Sequence, residues 1–455
     1  MPEEMMTTLY NADCLQKLDE LDSESIDCIV TDPPYELNFM GKGWDNAGVS
    51  FNKGTWEKCL RVLKPGGYLL AFGGTRTYHR IACAIEDAGF EIRDCIMWIY
   101  GSGFPKSMNI GLAIDKKNGV ESEIVGERKQ LGAKFKLTQE LIDNGGFNDP
   151  NRTSFAIKKA SNEWQGWGTA LKPSFEPIIV ARKPFKGSCV DNVLKYGVGG
   201  LNIDECRIEY KSESDKAGAT PQGKVTSNKS AGATPDIERD GRVEVERPEQ
   251  KGRFPANLIL TYGETDFDEV CGGFPYSKSS GGEPTMPDLR DVGKKSKEAI
   301  GIDKLSFGQV SNAERKDSTY LAPKDSGSAA RYFYCAKASK KDRDEGLDDF
   351  EQAITDDGRN TPIDNPYLRG ETLRHNTHPT VKPTSLMQYL IRLVAPKGAT
   401  ILDPFMGSGS TGKAVVYENK ERNAGYKFIG IEKEPEYCKI AEARTKYAEE
   451  GDKCK

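Results

Sequence analysis

One segment near the end of the chain indicates its architecture: Thr400-Ile-Leu-Asp-Pro-Phe-Met-Gly-Ser-Gly-Ser-Thr-Gly412. In it a short apolar strand, Thr400 to Asp403, is followed by a glycine-rich turn and then by a helix. Glycine allows a tight turn and a close approach of the backbone to a ligand, and the start of a helix offers free N–H groups. The acidic residue Glu432 ends the next apolar run, Lys427 to Glu432. This pattern predicts a cofactor site. A dinucleotide-binding dehydrogenase shows a similar pattern, and a purely structural glycine turn is a further alternative.

Outward from this stretch, helical and strand periodicities alternate. Amphipathic helices are predicted over Thr384–Val394, from Ser410 to Glu418, and over Pro435–Ala448. The first hundred residues repeat the pattern, with predicted strands over 25–31, 68–72 and 90–100 and predicted helices beginning at Trp56 and Tyr78. Alternating strands and helices predict an α/β fold, in which a mixed, mostly parallel sheet carries helices on both faces.

A second motif, Thr31-Asp-Pro-Pro-Tyr35, follows the predicted strand over 25–31. Its two prolines stiffen the loop and remove backbone N–H donors, so carbonyl groups and the Asp32 carboxylate remain as acceptors beside an aromatic ring. Such a loop suits a flat ring that bears an NH₂ group. The alternative is an ordinary turn at the end of a strand with an exposed aspartate.

Together the two motifs resemble those of the S-adenosylmethionine-dependent DNA amino-methyltransferases, whose catalytic motif is Asp/Asn/Ser-Pro-Pro-Tyr/Phe. The order of the motifs, with the catalytic loop first and the glycine-rich turn near the end, is similar to the circularly permuted β class. The segments Trp98-Ile-Tyr-Gly-Ser-Gly-Phe-Pro105 and Tyr334-Cys-Ala-Lys-Ala-Ser-Lys-Lys341 resemble its phage and bacterial form. Further matches are Asn11-Ala-Asp-Cys14, Leu63-Lys-Pro-Gly-Gly67, His378-Pro-Thr-Val-Lys-Pro383 and Gly430-Ile-Glu432. The resemblance implies a Rossmann-like methyltransferase fold and disfavours the dehydrogenase.

The resemblance also implies roles for individual residues. Asp32 and the Pro33 carbonyl would bind the target amine, with Pro34 stiffening the loop and Tyr35 stacking on the base. Glu432 would bind the ribose hydroxyls of the cofactor, and Asp13 would lie towards its adenine. The remaining implied cofactor contacts are Thr31, Asp32, Lys382, Thr384, Asp403, Pro404, Phe405, Gly407, Ser408, Gly409, Ser410 and Thr411. The sulfonium of the cofactor is already an activated methyl donor, so no metal is implied.

The same comparison predicts the organisation of the chain. Residues 1–100 would form the catalytic half of the core, 170–185 its last strand and 376–455 its cofactor-binding half. Residues 101–169 would be an insertion within the core hairpin, and 186–375 an irregular target-recognition region with a flexible insert over 211–250. The candidates for DNA contact are Trp164, Trp167, Arg182, Lys183, Arg331, Lys337, Lys340 and Lys341.

Composition sets further limits. The net charge of −5 counts mildly against a nucleic-acid partner, but residues 151–200 hold eight Lys/Arg against three Asp/Glu. The eleven cysteines form no Cys-x-x-Cys pair and only three histidines are present, so no structural zinc site is expected. No apolar stretch approaches the roughly 20 residues of a membrane span, and the N-terminus lacks a secretory signal. A cytoplasmic protein without a membrane partner is therefore predicted.

The sequence thus predicts an enzyme that methylates the N6 amine of a flipped adenine in double-stranded DNA. An aspartate in the first position of the catalytic motif favours adenine, and cytosine N4 is the alternative target. A methyltransferase acting on RNA or on a protein amide fits the long middle region less well. From a different class, a catalytically silent DNA-binding protein remains an alternative.

Overall fold

The computed structural model describes residues 6–37, 45, 47–100, 107–129, 154–210, 216, 251–262, 276–278, 326–328, 333–337, 340–354 and 373–451, and every structural statement below applies to these. The strands are β1 (Thr7–Asn11), β2 (Ile26–Thr31), β3 (Leu63–Phe72), β4 (Glu91–Tyr100), β5 (Glu123–Lys129), β6 (Ser154–Lys159), β7 (Phe175–Arg182), β8 (Leu258–Tyr262), β9 (Tyr276–Lys278), β10 (Ser326–Ser328), β11 (Tyr334–Lys337), β12 (Ala353–Ile354), β13 (Leu373–Arg374), β14 (Thr400–Asp403) and β15 (Lys427–Glu432). The helices are α1 (Cys14–Glu20), α2 (Lys53–Val62), α3 (Tyr78–Asp87), α4 (Ile110–Asn118), α5 (Cys189–Tyr196), α6 (Lys340–Asp344), α7 (Thr384–Val394), α8 (Ser410–Arg422) and α9 (Pro435–Glu450).

A nine-stranded sheet in the order β1-β15-β14-β2-β3-β7-β4-β8-β11 organises the chain. The pairings from β1 across to β3 are parallel, β7 is antiparallel to both β3 and β4, and β4 is parallel to β8. All six residues of β2 are buried, as a central parallel strand with both faces covered requires. The predicted α/β class with a mixed, mostly parallel sheet is confirmed.

Helices cover both faces of this sheet. On one face, α1, α2 and α3 pack their apolar stripes against alternate strand residues such as Ile29 and Leu69, with Trp56 fully buried between them. Residues at the intervening positions, such as Val30 and Leu70, point to the opposite face because side chains alternate along a strand. There α7 packs against β2 and β3. The core is therefore a three-layer arrangement around the middle of the sheet.

The predicted elements agree closely with the observed ones. Helix α7 and strands β14 and β15 have the predicted bounds to the residue. Helix α2 begins three residues before Trp56, because the side chain of Asn52 accepts a hydrogen bond from the N–H of Gly54 and caps the helix there. Strand β3 begins at Leu63 rather than Tyr68, because Leu63 already pairs with Ile26 of β2.

The topology places a crevice between β2 and β14. From β2 the chain crosses to β3 on one side, and from β14 it crosses to β15 on the other, so these adjacent strands lie at a point where the connections diverge. In open α/β sheets ligands bind at the carboxyl ends of the strands at such a point. The ends of β2 and β14 are Thr31 and Asp403, which belong to the two sequence motifs.

The chain divides into two compact units. The first contains 1–206, 256–267 and 335–455 and holds the large sheet. The second contains 207–255 and 268–334, and its described part includes the antiparallel pair β9–β10 and a bridge between Ile208 and Arg253.

The predicted target-recognition region, 186–375, contributes residues to both units. Its predicted flexible insert, 211–250, lies outside the described residues except for Lys216. Between the paired strands β4 and β7, the described parts of 101–169 contain α4 and the hairpin β5–β6. The domain boundaries and the reading of DNA by 186–375 stay predictions. None of the described helices is long and apolar enough to cross a membrane.

Candidate active site

A cavity of about 700 Å³ opens at the carboxyl edge of the sheet, beside the crevice between β2 and β14. Both sequence motifs reach it, although more than 350 residues of chain separate them. Of the residues predicted for the site, those that line this cavity are Asp13, Asp32, Pro34, Lys382, Asp403, Pro404, Phe405, Gly407, Ser408, Ser410, Thr411 and Glu432. The remaining predicted site residues are not part of the cavity lining: Thr31, Pro33, Tyr35, Thr384 and Gly409.

The Asp403 carboxylate fastens the two motifs to each other. Its Oδ1 accepts the hydroxyl of Thr31 at 2.6 Å and the N–H of Phe405 at 3.1 Å, and its Oδ2 accepts the hydroxyl of Thr411 at 2.6 Å. Burial raises the pKa of Asp403 to about 6, against the lowering effect of these donors. Three donors therefore fix the orientation of this carboxylate, and its first role is to hold β2, β14 and the start of α8 together.

The turn that follows Asp403 requires glycine at two positions. Gly407 has φ +53°, and a Cβ there would lie 2.8 Å from Nε2 of His378. Gly409 has φ +77°, and its Cβ would lie 2.8 Å from the backbone Cα of Ala441 on α9. Both the backbone conformation and the space exclude a side chain. The turn is consequently pressed between His378 and α9, with its inner surface on the cavity.

Arg444, which was not predicted from the sequence, binds this turn through hydrogen bonds from α9. Its guanidinium is fully buried and donates to the carbonyl of Ser408 at 2.6 Å and to the hydroxyls of Ser408 and Ser410 at 3.1 and 3.3 Å. A signal was present, because the spacing of Tyr437, Ile440 and Ala441 along α9 places Arg444 on the same buried stripe. A cation at a core position of an amphipathic helix indicates a buried acceptor.

Glu432 and Asp13 lie on the other side of the cavity. The Glu432 carboxylate accepts the N–H of Gly407 and the N–H of Glu434, each at 2.8 Å, and burial raises its pKa. Asp13 caps α1 by accepting the N–H of Leu15 at 2.9 Å and lies 3.2 Å from the ammonium of Lys433. Burial acts to raise the pKa of Asp13, but the N–H of Leu15 and the ammonium of Lys433 lower it overall. Two carboxylates thus face the cavity from the ends of neighbouring strands.

The Asp-Pro-Pro-Tyr loop is rigid and presents acceptors. The Pro34 carbonyl accepts the hydroxyl of Ser50 at 2.6 Å, whereas no described residue donates to the Pro33 carbonyl. Asp32 Oδ2 lies 2.5 Å from the ammonium of Lys382, while Asp32 Oδ1 is buried without a hydrogen-bond partner among the described residues. Burial raises the pKa of Asp32 in spite of Lys382. A buried acceptor without a donor costs about 1–3 kcal/mol, which a ligand N–H at this oxygen would recover.

Tyr35 does not line the cavity. Its hydroxyl donates to Oε2 of Glu176 at 2.7 Å, and its ring centre lies 5.4 Å from the ammonium of Lys382. The stacking of Tyr35 on a base stays a prediction. The contact to Glu176 was not foreseen.

Lys382 and Thr384, both expected near the cofactor, have different surroundings. The Lys382 side chain is only 6% exposed, and its ammonium lies against Asp32, 2.5 Å from Oδ2. Thr384 begins α7, where its N–H donates to the Asp342 carboxylate at 2.8 Å and its hydroxyl donates to the same carboxylate. Thr384 therefore serves the helix start, outside the cavity lining, and its contact with the cofactor stays a prediction.

His378 was foreseen only as part of a matching motif. Its ring lines the cavity and stands edge-on to that of Tyr437, with 4.6 Å between the ring centres. Burial, with the nearby Lys382, lowers its pKa to about 3, so the imidazole is neutral at neutral pH. Among the described residues no group of three His, Cys, Asp or Glu side chains is placed to hold a metal ion.

Comparison with known proteins agrees with this arrangement. A family model described as DNA methylase, covering N6 and N4 methyltransferases, matches residues 26–443. The type II methyltransferase M.HindIII of Haemophilus influenzae is 23% identical over 240 residues, which are 44% of this chain and 65% of that protein, so the chain spans just under two thirds of that relative. The type II methyltransferase M2.LlaDCHI of Lactococcus lactis subsp. cremoris is 26% identical over 250 residues, 47% of this chain and 90% of that protein.

Among solved structures, the M1.HpyAVI–SAM complex aligns with 96% of this chain and 98% of its own, at 14% identity and a TM-score of 0.35. The family model matches most of the chain and includes both motifs. The chain belongs to the DNA methylase family of N6 and N4 methyltransferases.

Proposed function

We propose that this chain transfers a methyl group from S-adenosylmethionine to the exocyclic amine of a base in double-stranded DNA, with adenine N6 as the target. The observation that carries the proposal is that Asp32 lines the cavity shared with the glycine-rich turn, while its Oδ1 is buried without a hydrogen-bond partner among the described residues. An amine N–H is the donor that this oxygen lacks. Family membership supports the reaction class, and the aspartate in the first position of the loop favours adenine over cytosine.

The cavity fits the proposed cofactor. Glu432 ends β15 with a partly buried carboxylate on the cavity, suited to accept the hydroxyls of a ribose. Gly407 lines the cavity, and the lack of a side chain at Gly407 and Gly409 lets this turn pack closely between His378 and α9. Asp13 offers a further acceptor from the neighbouring strand end. When bound, this cofactor supplies a methyl group on a positively charged sulfur.

The residues of the chain then have three tasks. Asp32 Oδ1 accepts an N–H of the target amine, which draws the nitrogen lone pair out of conjugation with the ring. Asp403 keeps the Asp-Pro-Pro-Tyr loop and the glycine-rich turn across one cavity from each other, so that nitrogen and methyl group meet in line. The negative charge of Asp32 favours the positive charge that develops on the nitrogen during transfer.

The target base has to leave the DNA stack to reach this cavity, at a cost of a few kcal/mol. Of the predicted DNA contacts, Arg182 already donates to Glu91 at 2.7 Å and Lys183 to the Leu63 carbonyl at 2.7 Å. Trp164 and Trp167 are exposed. The side chains of Arg331, Lys337, Lys340 and Lys341 lie outside the described residues. The tryptophan pair is therefore the strongest candidate among the described positions.

The proposal is tested by incubating the full chain with unmethylated duplex DNA and methyl-labelled S-adenosylmethionine, followed by digestion to nucleosides and chromatography. Label in N6-methyladenine is the expected result. Label in N4-methylcytosine would overturn the choice of base, and label in RNA alone would overturn the substrate class. Binding of DNA without any transfer would favour the silent DNA-binding protein.

Replacement of Glu432 by glutamine is expected to weaken the binding of S-adenosylhomocysteine, the demethylated product, by about 10- to 100-fold. A hydrogen bond to a charged group contributes about 1.5–3 kcal/mol, and the amide nitrogen cannot accept a donor. Isothermal titration calorimetry measures the change, with Glu421→Gln on the exposed side of α8 as the matched control. A 2′-deoxyribose analogue should lose less affinity than the parent ligand in Glu432→Gln. Equal losses would place Glu432 away from the ribose.

Replacement of Trp167 by alanine is expected to weaken binding to duplex DNA by about tenfold or more, because stacking of a ring on a base contributes ~1–3 kcal/mol. Trp167 is 59% exposed, and its ring stands edge-on to that of Trp164 with 5.1 Å between the ring centres, so the pair offers aromatic surface to solvent. Fluorescence anisotropy with a labelled duplex at fixed salt measures the affinity. Leu171→Ala, at an exposed apolar position in the same segment, is the control. Equal affinity of Trp167→Ala and Leu171→Ala would remove the tryptophan pair from the DNA surface.

A further inference from the structure

We infer that Glu176 is a positioning residue of the transfer site, since its carboxylate holds both Tyr35 and Lys382 and through them fixes the Asp-Pro-Pro-Tyr loop around Asp32. The inference rests on the proposed function, because it assigns a task within the same reaction. Glu176 itself does not line the cavity, so it acts through its two neighbours.

The topology explains why an acid on β7 reaches the site. Strand β7 runs antiparallel to β3 and β4, so its first residues lie at the edge where the parallel strands end. Glu176 is the second residue of β7 and pairs with Trp98 of β4, while the end of β3, Phe72, pairs with Ile178. A side chain at the beginning of this reversed strand therefore meets the loop at the end of β2.

One oxygen of Glu176 serves two partners. Oε2 accepts the hydroxyl of Tyr35 at 2.7 Å and lies 3.4 Å from the ammonium of Lys382. The other oxygen, Oε1, accepts the hydroxyl of Tyr100 at 3.2 Å. The tyrosine of the Asp-Pro-Pro-Tyr loop and the cation that binds Asp32 are thus tied to a single carboxylate.

The position of the Lys382 ammonium depends on the Glu176 carboxylate as well as on Asp32. Its ammonium lies 5.0 Å from the ring centre of Phe72 and 6.0 Å from that of Trp98, in surroundings that would not retain a lone cation. Asp32 and Glu176 together supply the compensating charge, and the three ionised groups sum to one negative charge. Because Lys382 occupies Oδ2 of Asp32, Oδ1 is the oxygen left for the amine.

The charge of Glu176 also reaches Asp32. The groups that face Asp32 are Lys382, Glu176 and Tyr35, and Asp403 lies close enough on β14 for Asp32 to affect its titration. Burial is the first cause that raises the pKa of Asp32, and the negative charge of Glu176 adds to it. Removing the charge of Glu176 would let Asp32 ionise at lower pH. If methyl transfer needs ionised Asp32, the fall of the rate on the acid side of the pH profile would then move to lower pH.

The test compares Glu176→Gln with the wild-type chain and with Glu91→Gln, a control at an acid of β4 that pairs with Arg182 on the same sheet. Single-turnover methyl transfer to DNA is measured across pH at saturating cofactor, and the Kd of S-adenosylhomocysteine by calorimetry. We expect Glu176→Gln to slow transfer by about 10- to 100-fold, to move the acid limb to lower pH, and to keep the Kd within twofold. Glu91→Gln should match the wild type.

A wild-type rate and pH profile in Glu176→Gln would overturn the inference, as would a slower rate with an unmoved acid limb, which a merely structural role gives. If the wild-type chain itself transfers no methyl group, the proposed function fails instead. Should Glu176→Gln not fold, Tyr35→Phe removes the hydroxyl that Glu176 accepts, which also interacts with Asp32. It should slow transfer severalfold at unchanged Kd, and a wild-type rate would overturn the inference.

Discussion

Replacement of Asp32 by alanine is expected to lower the rate of methyl transfer by about 100- to 1000-fold, the effect of removing one preorganised electrostatic contact from a buried site. The variant loses the one described carboxylate of the cavity lining that has a buried oxygen without a hydrogen-bond partner. The cofactor contacts proposed for Glu432 and for the glycine-rich turn do not pass through Asp32, since Glu432 accepts the N–H of Gly407 directly. The Kd of S-adenosylhomocysteine should therefore stay within about threefold of the wild type.

Single-turnover transfer from labelled cofactor to duplex DNA measures this prediction, and DNA affinity is followed in parallel by anisotropy. Asp19→Ala is the matched control, because Asp19 is an exposed acid that pairs only with Lys58 on the described surface. A protein that binds DNA without catalysis would be indifferent to both substitutions. Transfer by Asp32→Ala at the wild-type rate would remove Asp32 from the chemistry, whatever the DNA affinity.

The meeting of the two motifs could be predicted from sequence because it follows from topology. Thr31 and Asp403 each end a strand, and parallel strands present their carboxyl ends at one edge of the sheet. Periodicity placed both strands, and the motifs identified which loops follow them. Neither step needs the side-chain contacts, so local pattern and the rules of parallel sheets were sufficient.

The partners of the charged groups could not be predicted in the same way. The contact between Lys382 and Asp32 joins residues 350 positions apart, and its existence depends on how α7 starts beside β2. Asp403 was expected to contact the cofactor, but its oxygens also accept the hydroxyls of Thr31 and Thr411. A buried carboxylate needs such donors, and the sequence alone does not show which residues provide them. Glu176 was missed because its strand reverses at the sheet, which brings a strand beginning to the active edge. Motifs identify the groups, whereas packing decides what each one touches.

Lys413 is the extreme case of a group whose role only packing reveals. Its side chain is fully buried on α8, and its ammonium lies 2.8 Å from Asp342 Oδ1 and 2.7 Å from Glu345 Oε2. Asp342 also receives the N–H of Thr384 at the start of α7. One buried cation therefore joins α6, α7 and the helix that begins with the glycine-rich turn.

Replacement of Lys413 by methionine is expected to lower the free energy of unfolding by about 3–5 kcal/mol, because two carboxylates are left in the interior without their cation. Chemical denaturation in urea at neutral pH measures the loss. Lys53→Met is the control, since Lys53 pairs with Glu57 at the surface and exposed ion pairs contribute about 0–1 kcal/mol. A loss below about 1 kcal/mol in Lys413→Met would show that the carboxylates find other partners or water.

The pH dependence of that loss identifies its cause. Although burial acts to raise it, Lys413 and the donors at Thr384 hold the pKa of Asp342 below its ordinary value of 3.8. A carboxyl whose pKa is lower in the folded state stabilises the fold above its unfolded pKa, and this contribution disappears as the pH falls through the folded pKa. The difference in unfolding free energy between wild type and Lys413→Met should consequently narrow as the pH falls below about 3.8 and through the lowered folded pKa of Asp342. A gap that is independent of pH would assign the loss to packing of the lysine stem rather than to the ion pair.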